Sequence, residues 1–286
     1  PMMRCVQVLG LLFIMGLAPA ASLVSVQKME APPLMPLKKL AIVEPGSLCR
    51  LRGGADAVVW TKSEIVIAAY LGLSALPIGI MQVQDPAAAP WSKFAVGTTF
   101  KLPCSARTGM LLKYLPAVVF TAHCLTEQGI QPLAIVMLAQ FAKRTLEVLL
   151  LHDFSGSPTE EMPVCIIIGA FYAMVAWLFS RESVRASPQV AATGTGLAII
   201  GMLGNFYHHL LLKHLRTQPT NKDSVVSTST LKNYHIPRGG LFELVSCPHY
   251  FFELCVWGGA ALMTQALHTT LVLFWMTCML TGRSIA

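Results

Sequence analysis

Charge is scarce in this chain. Only 12% of its 286 residues are Asp, Glu, Lys or Arg, where soluble domains carry roughly 25%. Hydrophobic residues make up 54%. A water-facing surface is hard to build from that mixture, so an ordinary soluble domain is excluded and a membrane protein expected. Acidic residues are the scarcer sign, 14 against 21 basic, which leaves a net charge of +7. No GxGxxG turn follows a strand-like run, so a Rossmann nucleotide site is not expected. None of the eight cysteines forms a CxxC pair. Most lie in apolar runs, where they read as small buried hydrophobes, and no metal site is expected. No basic stripe is interleaved with aromatics, so no nucleic-acid partner is expected. No repeat or low-complexity tract appears.

Long apolar runs are what the chain does have. Residues 65–84, 162–180 and 188–212 are each close to the length that crosses a bilayer. Residues 110–125 form a shorter run interrupted by Lys113 and Pro116, and 132–151 are apolar on one side only. Residues 254–282 read either as one tilted helix or as two short helices hinged near 265–270. In lipid every backbone polar group must be satisfied within the chain, which favours helices over open sheets. The fold expected is all-α, a polytopic membrane bundle of about six or seven transmembrane helices. Ahead of it, Arg4, the apolar run 6–17 and Ala18-Pro19-Ala20-Ala21 read as a signal or targeting leader over 1–24. Residues 25–60 read as a transit segment or linker, and 61–286 as the membrane domain. Basic residues gather in loops beside the apolar runs, at Lys213, Arg216, Lys222, Lys232 and Arg238. That placement suits loops facing anionic headgroups or a phosphorylated ligand.

Polar groups concentrate in three places. Residues 231–253 read LKNYHIPRGGLFELVSCPHYFFE. Pro237 fixes φ, and Gly239 and Gly240 permit backbone shapes or close approaches that a Cβ would forbid. Residues 204–216 place Asn205 and His209 on one helical face with Arg216 near it. An amide, an imidazole and a guanidinium suit a dinucleotide's carboxamide, hydroxyls and phosphates, and equally suit a polar cap that anchors a helix end. Residues 141–155 put Lys143 and Glu147 on a shared face with Arg144 beside them. That is a site or a solvated helix face. Glu253 opens an apolar run, and such a carboxylate needs a partner, with Arg283 one candidate.

These three stretches, taken together from about residue 105 onward and most closely over 204–253, resemble the steroid 5α-reductase family. Residues 135–286 correspond to its C-terminal region. Residues 143–155 are similar to the KRxxExLxxHxFS pattern of its very-long-chain enoyl-CoA reductases and plant members. The resemblance implies a membrane enzyme that uses NADPH to reduce a C=C bond conjugated to a carbonyl. It implies cofactor-binding roles for Asn205, His209, Arg216, Tyr234, His249, Glu253 and Arg283, with His209 standing where many members have Asp and His249 where they have Asn. It implies catalytic roles for Lys143 and Tyr250. Steroid-reducing members contact the 3-keto oxygen with a Glu and a Tyr, and those positions fall here on Tyr114 and Phe141. That departure favours an enoyl thioester, 2-enoyl-CoA, over a steroid enone. A further alternative is the related membrane methyltransferases that use S-adenosylmethionine. The family continues beyond a position equivalent to Ala286 with a basic, aromatic tail, so a C-terminally incomplete chain is expected. The resemblance places the protein in the endoplasmic reticulum, with a plastid-related membrane as the alternative. The oligomeric state is left open.

Overall fold

The computed structural model describes residues 62–84, 102–154, 159–217 and 237–285. The expected leader and linker lie outside these residues, as do Tyr234 and the side chain of Arg216. Within them the fold is all-α. Seven helices follow one another: α1 (Lys62–Gln84), α2 (Ala106–Gln128), α3 (Pro132–Leu146), α4 (Met162–Ser180), α5 (Pro188–Thr217), α6 (Pro248–Thr264) and α7 (Leu267–Ile285). Strand structure among the described residues is one antiparallel pair of two-residue segments, β1 (Pro103–Cys104) and β2 (Glu160–Glu161). By length and composition α2, α4 and the Pro188–Leu215 part of α5 are long and apolar enough to cross a membrane.

Local chemistry sets the helix ends. Ser105 caps α2 by accepting a hydrogen bond from the Thr108 backbone N–H. Proline occupies the first turn of α3, α4 and α6, where its missing N–H costs nothing. The run 254–282 resolves into two helices. Gln265 adopts φ 50° and closes α6 through its N–H to Ala261 O at 2.9 Å. The Thr264 and Thr269 hydroxyls, 2.6 Å apart, bridge the turn. At the other end of the bundle α3 widens into a π turn, Glu147–Leu151, with the His152 N–H bonded to Glu147 O at 2.8 Å. Such insertions recur at functional sites.

Small residues let the helices approach closely. A Cβ at Gly194 would lie 2.6 Å from Gly259 O, and one at Gly201 2.6 Å from Phe252 O, so α5 and α6 run antiparallel backbone to backbone. Gly169 abuts Leu112 O, which sets α4 alongside α2. A Cβ at Gly79 would meet Cys278 O at 3.0 Å and one at Gly282 would meet Gly79 O at 2.7 Å, which aligns α1 in parallel with α7. Because α5 and α6 are antiparallel and α6 reverses into α7, the ends of α5 and α7 lie on the same side. The end of α3 joins them through contacts described below. The core sits between α3, α4 and α6, where Trp257 packs edge-on to Phe141 and Phe179 at 6.2 and 5.7 Å.

Candidate active site

The end of α3 supplies the hub. Glu147 is 3% exposed, and its two oxygens take Lys143 Nζ at 3.0 Å and Arg144 Nη1 at 2.7 Å. Positions 143, 144 and 147 are one turn apart, so a single carboxylate can face both cations. Lys143 also donates to Asn205 Oδ1 on α5. Asn205, fully buried, passes the connection on by donating Nδ2–H to His249 O at 2.8 Å. The chain Glu147–Lys143–Asn205–His249 thus binds three helices to the residue preceding Tyr250.

Arg144 carries the second branch. Its Nη1 donates to His209 Nε2 at 2.6 Å and its Nη2 to the Tyr114 hydroxyl at 2.9 Å. The guanidinium carbon also stands 5.0 Å from the Tyr114 ring centroid. A guanidinium can only donate, so the His209 proton sits on Nδ1. The His209 ring lies 5.2 Å from His152 and 5.3 Å from His249. Glu147, His152 and His209 bring ligand atoms within 4.8 Å of one another. Arg144 already binds two of the three, and its charge opposes a metal ion there.

Beyond this paired layer lies a group of polar side chains with open valences. The Tyr172 and Tyr250 hydroxyls and the Glu253 carboxylate make no hydrogen bond among the described residues. Glu253 is 8% exposed. Arg283, in the last turn of α7, lies within electrostatic reach of Tyr250, Tyr172, Tyr114 and Glu253. It makes no ion pair with Glu253 within 4 Å among the described residues. Nearby, His249 Nδ1 and Arg144 Nε are buried without partners. Orphaned buried donors and acceptors are costly unless a ligand meets them.

The loop 237–246 closes the same end. Gly239 and Gly240 take φ 89° and 54°, the left-handed region that favours glycine. His208 ties the loop to α5. Its Nδ1–H donates to Gly204 O at 2.7 Å and its Nε2 accepts from the Leu241 N–H at 3.1 Å. A Cβ on Gly240 would meet His208 Nε2 at 2.9 Å, so both the turn and the close approach require glycine.

The structure therefore gathers Tyr114, Lys143, Asn205, His209, His249, Tyr250, Glu253 and Arg283 at one end of the bundle. It does not join Lys143 to Tyr250 by any hydrogen bond among the described residues; Asn205 stands between them. Arg216 is in the last turn of α5, on the same side as Arg283. Tyr172, a lone hydroxyl inside an uncharged run, and the role of Glu147 as the hub rather than a solvated neighbour are not legible in the sequence.

A profile of the family described as 3-oxo-5-alpha-steroid 4-dehydrogenase matches residues 161–286. The C-terminal region of the chain is thus similar to that family. Among curated relatives, a very-long-chain enoyl-CoA reductase of Dictyostelium discoideum is 31% identical over 134 residues, 44% of this chain and 40% of the relative. A 3-oxo-5-alpha-steroid 4-dehydrogenase 1 of Macaca fascicularis is 27% identical over 200 residues, 65% of this chain and 72% of the relative. The steroid 5-alpha-reductase DET2 of Gossypium hirsutum is 71% identical over 31 residues, 11% of this chain and 12% of the relative. The chain thus spans about two-fifths of the Dictyostelium enzyme. Family members by name act on steroids or on enoyl thioesters, and both substrates are α,β-unsaturated carbonyl compounds.

Proposed function

We propose that the protein is a membrane-bound, NADPH-dependent reductase of the C=C bond in an α,β-unsaturated carbonyl lipid, with 2-enoyl-CoA as the substrate class. The observation that carries the reading is the convergence of Tyr114, Tyr250, Glu253 and Arg283. Two phenols, a carboxylate and a guanidinium stand near one another at the end of an apolar bundle, beside the Lys143–Arg144–Glu147 cluster.

Conjugate reduction places negative charge on the carbonyl oxygen, as an enolate, and then needs a proton at the α-carbon. A donor aimed at that oxygen stabilises the transition state more than the ground state. Tyr250 is free to be that donor or the proton source. Its place at the start of α6 is fixed through the His249 carbonyl, which Asn205 and Lys143 hold. Lys143 is in this reading a positioning residue rather than a group in contact with substrate. NADPH would supply the hydride, and hydride chemistry belongs to the cofactor. The described donor set fits a dinucleotide: Arg283 for phosphates, Glu253 for ribose hydroxyls, and His249 Nδ1 and Arg144 Nε as buried groups that lack partners among the described residues; the resemblance adds Arg216 and Tyr234, whose side chains lie outside those residues. The cationic surplus at this end excludes carboxylate-rich metal chemistry and attracts phosphate.

Substrate choice turns on Tyr114 and Phe141. Phe141 is buried between Tyr172 and Trp257 and offers no hydrogen bond. Tyr114 already accepts one from Arg144, though its own proton is free. A 3-oxo-Δ4 steroid is the alternative substrate, named by the macaque relative. An endoplasmic reticulum membrane, or one derived from a plastid, suits either lipid. The test is a mass-spectrometric panel of enoyl-CoAs, enone steroids and polyprenols with NADPH and the protein in nanodiscs. We expect a higher kcat/KM on 2-enoyl-CoA than on the steroid. Equal or better kcat/KM on the steroid would overturn the substrate assignment, and reduction of none would overturn the reaction.

A further inference from the structure

Tyr172 is a buried tyrosine beside the site that the proposed reaction does not use. It lies in the middle of α4, 9% exposed, in a run that is otherwise uncharged. Its ring is stacked on Tyr114 with centroids 5.7 Å apart and planes at 27°. Phe141 lies 5.6 Å away on one flank and Phe171 5.9 Å on another. The ring is thus held on three sides, while the hydroxyl makes no hydrogen bond among the described residues. A phenol in an apolar bundle without a partner forfeits a hydrogen bond, and buried tyrosines normally find one. The charges within electrostatic reach are Arg144, Arg283 and Glu253, with the Tyr114 phenol stacked beside it. Two guanidinium groups against one carboxylate make this an environment suited to a polar oxygen carrying partial negative charge.

We propose that Tyr172 is a substrate-binding residue whose hydroxyl donates to the carbonyl oxygen of the ligand, beside the hydroxyl of Tyr114. The stacked pair presents two phenols from two different helices, α2 and α4. Arg144 donates to the Tyr114 oxygen and so leaves the Tyr114 proton pointing outward. Two donors on one oxygen fill the two lone pairs of a carbonyl, which leaves Tyr250 the other role, proton source at the α-carbon. Gly169, one turn before Tyr172, lets α4 lie directly on Leu112 of α2, and that close approach brings the two rings into register. The inference rests on the enone-reductase reading for the identity of the ligand. The geometry itself requires only a carbonyl.

The experiment compares the wild-type full chain with Tyr172→Phe in lipid nanodiscs, which keeps the stacked ring and removes one oxygen. Two matched pairs serve as probes. One is hexadecanoyl-CoA with its S-hexadecyl thioether, which lacks the carbonyl. The other is a 3-oxo steroid with its 3-deoxy counterpart. For whichever carbonyl ligand the wild type prefers over its partner, Tyr172→Phe should weaken binding about 3–10-fold, the worth of one neutral hydrogen bond. Binding of the carbonyl-free partner and the melting temperature should not move. Tyr207→Phe, on an exposed face of α5, should change nothing. Equal weakening of both members of a pair, no weakening, or no wild-type preference for either carbonyl ligand would overturn the proposal. Turnover with NADPH is read separately. A protein that binds carbonyl ligands through Tyr172 and reduces no enone would retain this site and discard the reductase reading.

Discussion

Tyr250 and Glu147 make opposite demands on their surroundings. The Tyr250 hydroxyl is left open, whereas each Glu147 oxygen is committed to a cation. Tyr250→Phe should therefore be silent in stability and lower turnover by about 100–1000-fold, the scale on which loss of a proton-transfer group or an oxyanion donor acts. Steady-state kinetics and NADPH titration of the variant would check this, with cofactor affinity expected near wild type. Glu147→Gln should do the reverse. It leaves Lys143 and Arg144 buried beside a neutral amide, and breaking such a group costs about 3–5 kcal/mol, visible as a lower melting temperature. Legibility in the sequence follows the same division. Lys143, Arg144, Asn205 and His209 were readable because helical spacing puts charged and polar groups on one face. Their partners were not, because a contact across 62 or 65 positions, as at Lys143–Asn205 and Arg144–His209, leaves no local period. Tyr172 was illegible for a different reason: one hydroxyl in an apolar run carries no pattern at all.

At the scale of the elements, glycine decides where helices touch. Gly259 and Gly194 each face the other's carbonyl, the close approach that small residues allow in membranes. Gly259→Ala should separate α5 from α6 and destabilise the protein by about 1–3 kcal/mol through overpacking. Gly196→Ala, with open space around it, should cost nothing, and thermal melts of the two variants side by side would show the contrast. The opposite end of the bundle is held by charge. Glu182, after α4, meets His268 Nε2 at 2.9 Å and Arg185 Nη2 at 3.0 Å. Burial alone would raise its carboxyl, but the hydrogen bond from His268 and the charges of His268 and Arg185 hold it below the ordinary glutamate range. A lowered folded value means the stabilisation is complete above the unfolded value of about 4.3 and is lost as pH falls through the folded one. Glu182→Gln should accordingly flatten the acid limb of a stability-against-pH curve. The helices themselves were plain in the apolar runs. The break at Gln265 was only half legible, since a left-handed glutamine has no sequence signature that a glycine would have given.

Among the described residues the polar network, the loop 237–246 and the ends of α3, α5 and α7 share one side. Under the function proposed above, that side would face the cytosol, where NADPH and acyl-CoA are found. The all-α class and the membrane setting followed from composition, because so few charges cannot clothe a soluble domain. The chemistry depended on folding, which alone brings Tyr114, Tyr250, Glu253 and Arg283 from three helices to one end. The most direct test of that chemistry follows a label. The protein in nanodiscs is given 2-hexadecenoyl-CoA and NADPH deuterated at both C4 positions, and the product is analysed by mass spectrometry. The account predicts hexadecanoyl-CoA carrying one deuterium at the β-carbon, in amounts equal to the NADPH consumed. A product without deuterium, or methyl transfer from S-adenosylmethionine in its place, would contradict it.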